Sequence, residues 1–139
     1  NIPSSTLCFE ITETTAITNL SKAASLIKKI KCLGCTLALD DFGTGASSFA
    51  YLKYLAVDYI KIDGTFIKDV IIDPIDLEIV SSIVKIAKVL GVKTVAEFVD
   101  NEAVLNKVTE LGIDYAQGFL LSKPEPLPAL GGTIKIIKA

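Results

Sequence analysis

Acidic side chains and one lysine occupy matching places in four short apolar runs of the sequence. Glu10, Asp40, Lys61 and Glu97 each lie near the end of such a run, and Asp41 follows Asp40 directly. The chain has no histidine, and carboxylate oxygens without His or Cys suit Mg²⁺ or Mn²⁺. Adjacent carboxylates repel each other unless they share a cation. The pattern predicts a carboxylate metal site beside a lysine, although the two aspartates alone are also compatible with a helix cap or a turn.

The segment that contains the second aspartate, residues 41–48, is rich in glycine and small hydroxyl side chains. Such a loop suits the wrapping of a phosphate group or the closing of a lid over a site. It lacks the Gly-Lys-Ser/Thr of a P-loop and the Gly-x-Gly-x-x-Gly of a dinucleotide-binding fold. Because the chain has no histidine to activate Ser47, a His-based serine triad is excluded.

Strand-like and helix-like patterns alternate along the chain and determine where these side chains lie. Predicted strands cover residues 7–12, 36–40, 59–63, 93–99 and 115–118, and predicted helices cover residues 23–33, 49–55, 75–90 and 101–111. This order implies βαβ crossovers and a parallel sheet. Because strand side chains alternate between faces, Glu10, Asp40, Lys61 and Glu97 are expected on one face, near the carboxyl ends of successive strands. The opposite face of the first three strands is apolar and is expected to pack against the helices.

Two α/β architectures fit this order of elements. One is a doubly wound open sheet, and the other is part of a (β/α)8 barrel. A complete barrel requires roughly 200 residues or more, whereas the chain has 139. The sequence therefore describes either a whole open-sheet domain or a partial barrel.

Composition limits the function further. Half of the residues are hydrophobic and 22% are charged, which is typical of a globular domain. The net charge of −2 and the lack of a basic stripe argue against a nucleic-acid polymer as a partner. No apolar run is long enough for a membrane span, so a cytoplasmic location is expected. Cys8 and the C-x-x-C pair Cys32 and Cys35, which lies at the end of a predicted helix, are expected to be core thiols.

The order of these motifs resembles the EAL family of cyclic-di-GMP phosphodiesterases. The matching runs are Glu10-Ile-Thr-Glu13, Asp40-Asp41-Phe-Gly-Thr-Gly-Ala-Ser-Ser48, Lys61-Ile-Asp63, Thr94-Val-Ala-Glu97-Phe-Val-Asp100, and Asp114-Tyr-Ala-Gln117-Gly118 with Lys123-Pro124. The resemblance implies a modified TIM barrel with parallel strands, of which this chain holds roughly the C-terminal half. Residues 1–127 are then the C-terminal part of an EAL domain, and residues 128–139 are a tail that is strand-like or disordered.

The family hydrolyses cyclic-di-GMP to the linear dinucleotide pGpG with two Mg²⁺ or Mn²⁺ ions, so the resemblance implies the same substrate and cofactors here. It implies that Glu10 and Asp40 are ligands of the first metal and that Asp40 and Asp41 are ligands of the second. Lys61 resembles the lysine beside the attacking water, and Glu97 resembles the glutamate that binds the second metal or its water. Other positions match residues that support the site or form the substrate loop: Glu13, Asp63, Asp100 and Gln117, and Phe42, Gly43, Thr44 and Gly45.

Three departures from the family pattern modify these expectations. No Glu-Ala-Leu strand and no metal-binding Asn precede Glu10, so the first metal site is expected to be incomplete and the chain to have little or no activity. Ala46 stands where an aromatic residue is usual, and Asp100 stands where Glu is usual. The alternative is a degenerate EAL module that senses nucleotide or binds proteins. The parent protein is expected to supply the N-terminal half and sensory or GGDEF domains, and exposed sheet edges are expected to cause self-association.

Overall fold

The computed structural model describes residues 3–45 and 48–124. Within them, strands and α-helices alternate, with 3₁₀ helices at Ser4–Thr6 and Phe49–Tyr54. The strands are Cys8–Thr12 (β1), Thr36–Phe42 (β2), Tyr59–Ile62 (β3), Lys93–Ala96 (β4) and Tyr115–Ala116 (β5). The helices are Glu13–Thr18 (α1), Leu20–Cys32 (α2), Gly64–Lys68 (α3), Pro74–Leu90 (α4) and Glu102–Glu110 (α5). None of the helices in these described ranges is long and apolar enough to cross a membrane.

The strands form one parallel sheet in the order β1-β2-β3-β4-β5. A doubly wound open sheet reverses its strand order at a switch point, whereas a (β/α)8 barrel keeps each strand beside its predecessor. The sequential order is therefore that of a barrel, and the open-sheet alternative is excluded. Because parallel crossovers are right-handed, the helices of such a sheet lie on one face and leave the other face to the barrel interior.

The main core lies between the helices and the face of the sheet that they cover. Ile60 and Ile62 of β3 are fully buried there, beside Leu39 of β2. The inner face of α4 contributes four buried side chains to this core: Val80, Ile83, Val84 and Ala87. Because strand side chains alternate, Lys61 projects from the opposite face. The expectation that the first strand packs its apolar face against helices is wrong for Phe9, which is 46% exposed at the edge of the sheet.

Polar caps and a glycine fix the ends of the longer helices. Asn19, Asp73 and Asn101 each accept a hydrogen bond from a backbone N–H in the first turn of α2, α4 and α5, respectively. In α4, Pro74 occupies the first turn, and Gly91 ends the helix in the left-handed conformation with φ +71°. Since these signals are local, the three helices begin and end close to their predicted positions.

The predicted strand ends were less accurate, and two short helices were not predicted. β2 continues to Phe42 through a bulge, and β4 already ends at Ala96, shortly before the left-handed backbone of Phe98 departs from strand conformation. α1 and α3 follow directly on a strand and are capped by Thr12 and Asp63. Helices of one to two turns carry too few apolar positions for a periodic pattern, so the sequence did not reveal them.

The prediction that all three cysteines lie in the core was wrong for two of them. Cys35 is buried, but Cys8 lies on the edge strand and Cys32 on the last turn of α2, where both are exposed. Ala46 and the predicted tail of residues 128–139 lie outside the described residues.

Two aspartates, Asp58 and Asp114, connect neighbouring strands by hydrogen bonds near the amino ends of the strands. Asp114 accepts hydrogen bonds from the N–H (2.9 Å) and the hydroxyl (3.1 Å) of Thr94, and it pairs with Lys93 Nζ at 2.6 Å. Asp58 makes equivalent contacts with the N–H of Leu37 and with a lysine ammonium. Burial raises the pKa of Asp114, but the hydrogen bonds from Lys93 and Thr94 outweigh it and bring the pKa below its usual value.

The substitution Asp114→Asn is expected to lower the free energy of unfolding by about 1–2 kcal/mol near neutral pH, because it removes charge-assisted hydrogen bonds. Since the folded-state pKa is lowered, the stabilisation is present above the unfolded-state pKa of about 3.9 and is lost as the pH falls through the folded value. Urea unfolding should therefore show a difference between wild type and variant that shrinks in acid. The exposed Asp69 offers the control Asp69→Asn, and a difference that stays constant with pH would contradict the prediction.

Candidate metal centre

Lys61 is the centre of the charged face of the sheet, and it is only 7% exposed. Its Nζ lies 2.7 Å from Asp40 Oδ1, 2.8 Å from Glu97 Oε1 and 3.2 Å from Glu10 Oε2. Burial lowers the pKa of Lys61, but its hydrogen bonds to Asp40 and Glu97 and the charges of Glu97 and Glu10 outweigh burial and raise the pKa above its usual value. At neutral pH Lys61 is therefore positively charged among these carboxylates.

A β-bulge brings Asp40 and Asp41 to the same site. In a regular strand, consecutive side chains point to opposite faces of the sheet. Here the pairing of β2 with β3 shifts between Leu39 and Phe42, and Asp41 adopts the left-handed conformation with φ +53°. This conformation is uncommon for residues other than glycine, and bulges of this kind re-aim side chains next to active sites. The sequence had suggested that Asp41 lies beyond the end of the strand. In the structure it lies within β2, which continues through the bulge to Phe42.

Carboxylate oxygens of Asp40, Asp41 and Glu97 lie within 4.8 Å of one another. Burial raises the pKa of Glu97 above its usual value; Lys61 opposes this effect, and the charges of Asp40 and Asp41 add to it. Glu10, Asp40 and Glu97 contact a single ammonium group, and Asp41 lies beside two of them, so negative charge is in excess. A hard divalent cation that prefers oxygen ligands would balance this excess, which makes the donor set suitable for Mg²⁺ or Mn²⁺.

Glu13 anchors the loop that follows β2, although it is fully buried. Its carboxylate accepts hydrogen bonds from the N–H groups of Gly43 (3.0 Å) and Gly45 (3.1 Å) and from the hydroxyl of Tyr51. Burial and the nearby carboxylate of Glu13 raise the pKa of Tyr51, so its hydroxyl stays protonated and donates to Glu13. Three donors thus compensate the buried charge and fix the start of the loop.

The first residues of this loop are held by contacts on both sides. Phe42 is buried in the core, and Gly43 has a φ of +105°. A side chain at Gly43 would place its Cβ 2.8 Å from the ring of Phe66, so both the conformation and the space require glycine. The hydroxyl of Thr44 donates to the carbonyl of Asp41 at 2.9 Å, which connects the loop to the bulge.

A cleft of about 360 Å³ opens beside the carboxylates, at the carboxyl ends of β4 and β5. It is lined by Glu97, Phe98, Asp100, Gln117, Gly118 and Phe119. Phe98 is 59% exposed and has a left-handed backbone with φ +54°. Its ring covers Gly64, where a Cβ would lie 2.2 Å from the ring. Strained backbone of this kind is concentrated at functional sites, so the cleft is a continuation of the metal centre.

The structure brings together five of the residues predicted to carry the chemistry: Glu10, Asp40, Asp41, Lys61 and Glu97. Asp63, predicted to support the site, caps α3 by accepting from the N–H of Thr65 at 2.7 Å. Asp100 and Gln117 line the cleft, where Asp100 accepts from Asn101 Nδ2 at 2.7 Å. Sequence reasoning missed Tyr51, because a tyrosine in a short helix gives no indication that it reaches a glutamate far away along the chain.

Comparisons with known proteins agree with this geometry. The family model described as EAL domain matches residues 1–124. Cyclic di-GMP phosphodiesterase PdeB of Shewanella oneidensis is 46% identical over 127 residues, which are 91% of this chain and 15% of that protein. The structure titled PaMucR phosphodiesterase, c-di-GMP complex, aligns with a TM-score of 0.86 at 40% identity, over 90% of this chain and 51% of that chain. BlrP1 of Klebsiella pneumoniae, in a manganese and cyclic-di-GMP complex, aligns with a TM-score of 0.80 at 33% identity, over 86% of this chain and 30% of that chain.

A parallel sheet in barrel order, with carboxylates and a lysine at the carboxyl ends of its strands, defines an α/β domain of the TIM-barrel type. The chain belongs to the EAL domain family, and its relative PdeB is named a cyclic di-GMP phosphodiesterase. It spans about half of the PaMucR chain and a much smaller part of PdeB, so its strands form part of such a barrel.

The substitution Glu13→Ala is expected to lower the free energy of unfolding by about 2–4 kcal/mol. It leaves the N–H groups of Gly43 and Gly45 without their acceptor and opens a cavity where the side chain was buried. Amide hydrogen exchange at Gly43 and Gly45 should become faster at the same time. The matched variant Glu13→Gln keeps the shape and an acceptor oxygen, so we expect it to retain most of the protection. Equal exchange rates at both glycines in wild type and Glu13→Ala would contradict the anchoring role.

Proposed function

We propose that this chain is part of an EAL phosphodiesterase that hydrolyses cyclic-di-GMP to pGpG, and that it holds a divalent cation at the site of reaction. The observation that supports the proposal is the cluster around Lys61, in which carboxylates outnumber the ammonium at the carboxyl ends of adjacent strands. An excess of closely spaced, partly buried carboxylates is unfavourable without a cation. PdeB and PaMucR, which are named phosphodiesterases, indicate which reaction such a site performs.

The donor set divides between two places. Asp40, Asp41 and Glu97 would hold one Mg²⁺ or Mn²⁺, since their oxygens lie within 4.8 Å of one another. Glu10 and Asp40 both contact the Lys61 ammonium, and these two carboxylates would be ligands of a second cation. A bound cation of this kind supplies a Lewis acid for the phosphodiester. The resident side chains therefore fit the metals that the family uses, although Glu10 and Asp40 by themselves form an incomplete second set.

Lys61 supplies a fixed positive charge next to the phosphate. Its ammonium is held by three carboxylates, so it needs little reorganisation when negative charge grows on the phosphoryl oxygens. We propose that Lys61 stabilises the transition state electrostatically and orients the attacking water, while Glu13 keeps Asp41 and its loop in position.

Metal binding provides the first test. Mn²⁺ titration followed by electron paramagnetic resonance should show binding to this chain, and Asp40→Asn or Asp41→Asn should weaken the binding at least about tenfold through loss of a charged ligand. Asp69→Asn is the matched control, because this exposed aspartate lies outside the cluster. Unchanged affinity in the first two variants, or an equal loss in the control, would show that the metal binds elsewhere.

Hydrolysis of cyclic-di-GMP provides the second test. With Mn²⁺, this chain is expected to form pGpG at least about 100-fold more slowly than PdeB, since Glu10 and Asp40 by themselves form an incomplete second cation site. Lys61→Met should retain Mn²⁺ binding, because it removes a competing positive charge, and should abolish the residual product. Turnover equal to that of PdeB would contradict the incomplete site, and activity that survives Lys61→Met would contradict the role of the lysine.

A further inference from the structure

Phe98 lies where the chain changes from one hydrogen-bonding partner to another. The N–H of Glu97 donates to a carbonyl of β3 at 3.3 Å, and the N–H of Val99 donates to the carbonyl of Gln117, next to β5, at 3.1 Å. In a regular strand, residues two apart share a face. Glu97 nevertheless contacts Lys61 on the charged face, whereas Val99 is fully buried in the hydrophobic core. The left-handed backbone of Phe98 therefore turns the chain directly after a carboxylate of the site.

The ring of Phe98 packs on α3, the helix that follows directly on the strand of Lys61. A Cβ at Gly64 would lie 2.2 Å from the ring, closer than side-chain atoms can approach. The φ angle of Gly64 is not positive, so the space taken by the ring, and not the backbone conformation, requires glycine there. One turn further along the same face of α3, Lys68 Nζ lies 4.8 Å from the centre of the ring. The ring is therefore held at two positions of one helix.

Burial of the ring does not account for this arrangement. Phe98 remains largely exposed, so its ring removes little apolar surface from water, while a left-handed backbone is costly for a bulky residue. Such strain persists where surrounding contacts determine it, and it is concentrated at functional sites. The residue that the contact fixes is Glu97, whose Oε1 lies 2.8 Å from Lys61 Nζ and whose carboxylate lies within 4.8 Å of those of the two aspartates in β2.

We propose that Phe98 is a positioning residue that holds the Glu97 carboxylate in the metal centre through the contact of its ring with α3. The contact fixes the backbone of Glu97 relative to β3, so the carboxylate stays beside Lys61 and in reach of the cation. Phe98 itself supplies no ligand atom. Gly64 is the other half of the contact, because only glycine leaves room for the ring. The inference rests on the proposed function in one respect, namely that the carboxylates hold a divalent cation.

Mn²⁺ titration of the full 139-residue chain, followed by electron paramagnetic resonance, tests the positioning role. Phe98→Ala should weaken Mn²⁺ binding about tenfold, the loss that is typical when a residue that orients a metal ligand is removed. Gly64→Ala should cause a similar loss, because the added methyl group displaces the ring. The double variant should lose no more affinity than Phe98→Ala alone, since both changes remove the same contact. Additive losses would contradict the contact between the ring and Gly64.

Two further variants separate the contact from a general effect of aromatic residues. Phe98→Tyr keeps the ring and should bind Mn²⁺ as tightly as the wild type. Tyr54→Ala removes an exposed aromatic side chain that neither lines the cleft nor belongs to the carboxylate cluster, so it should leave binding unchanged. Circular dichroism should show that each variant keeps its helix content. An equal loss of affinity in Tyr54→Ala would overturn the proposal.

Amide hydrogen exchange in the chain without metal gives a second, independent readout. Exchange at Glu97 and Val99 should become faster in Phe98→Ala and Gly64→Ala and should stay at the wild-type rate in Phe98→Tyr. Unchanged exchange in the first two variants would overturn the proposal. Faster exchange with unaltered Mn²⁺ affinity would also overturn it, because the ring would then support the backbone alone. A wild-type chain that binds no Mn²⁺ would instead contradict the proposed function, and the exchange rates alone would then decide whether Phe98 positions Glu97.

Discussion

The arrangement of the site depends on one interaction, the contact of the Lys61 ammonium with carboxylates from three other strands or strand ends. A lysine that is almost fully buried is tolerated only when it is paired, and here Asp40, Glu97 and Glu10 are its partners. These partners come from separate strand segments, so the interaction also favours one alignment of β1, β2, β3 and the end of β4 along the strand direction. One ammonium cannot balance all of the carboxylates that are gathered there. The same contact that organises the strands therefore leaves a negative charge that favours binding of a cation.

Backbone strain on both sides of Lys61 serves the same arrangement. Asp41 and Phe98 are the non-glycine residues with positive φ in the described part of the chain, and each directly follows a residue whose carboxylate contacts Lys61. Such conformations are maintained only where surrounding contacts determine them. The Glu13 anchor stabilises the first of these two positions through the loop, and the close packing of the Phe98 ring on Gly64 stabilises the second. Positions of strain and of chemistry coincide because a regular strand cannot present consecutive side chains to one face.

The sequence predicted the parts of this structure that depend on local signals. Alternating patterns predicted the sheet, and apolar positions at helical spacing followed by a glycine such as Gly91 predicted the longer helices, because these signals act over a few residues. Side-chain alternation also predicted that Glu10, Asp40, Lys61 and Glu97 share a face, since that follows from the pleat alone. The bulge at Asp41 was not predictable, because it results from how β2 and β3 pair across the chain. The choice between an open sheet and a barrel likewise required the strand order, or the family resemblance, since both folds have the same succession of elements.

The two faces of the sheet separate the chemistry from the helix-packed core. Ile60 and Ile62 direct one face of β3 toward α4 and the core, and Lys61 between them points to the other face. That face is also the one on which the remainder of a barrel must lie, because the chain aligns with about half of the PaMucR chain and Glu10 at the edge strand is half exposed. The charged face therefore carries both the candidate metal centre and the surface that the rest of a barrel would complete, whereas the opposite face is committed to the core.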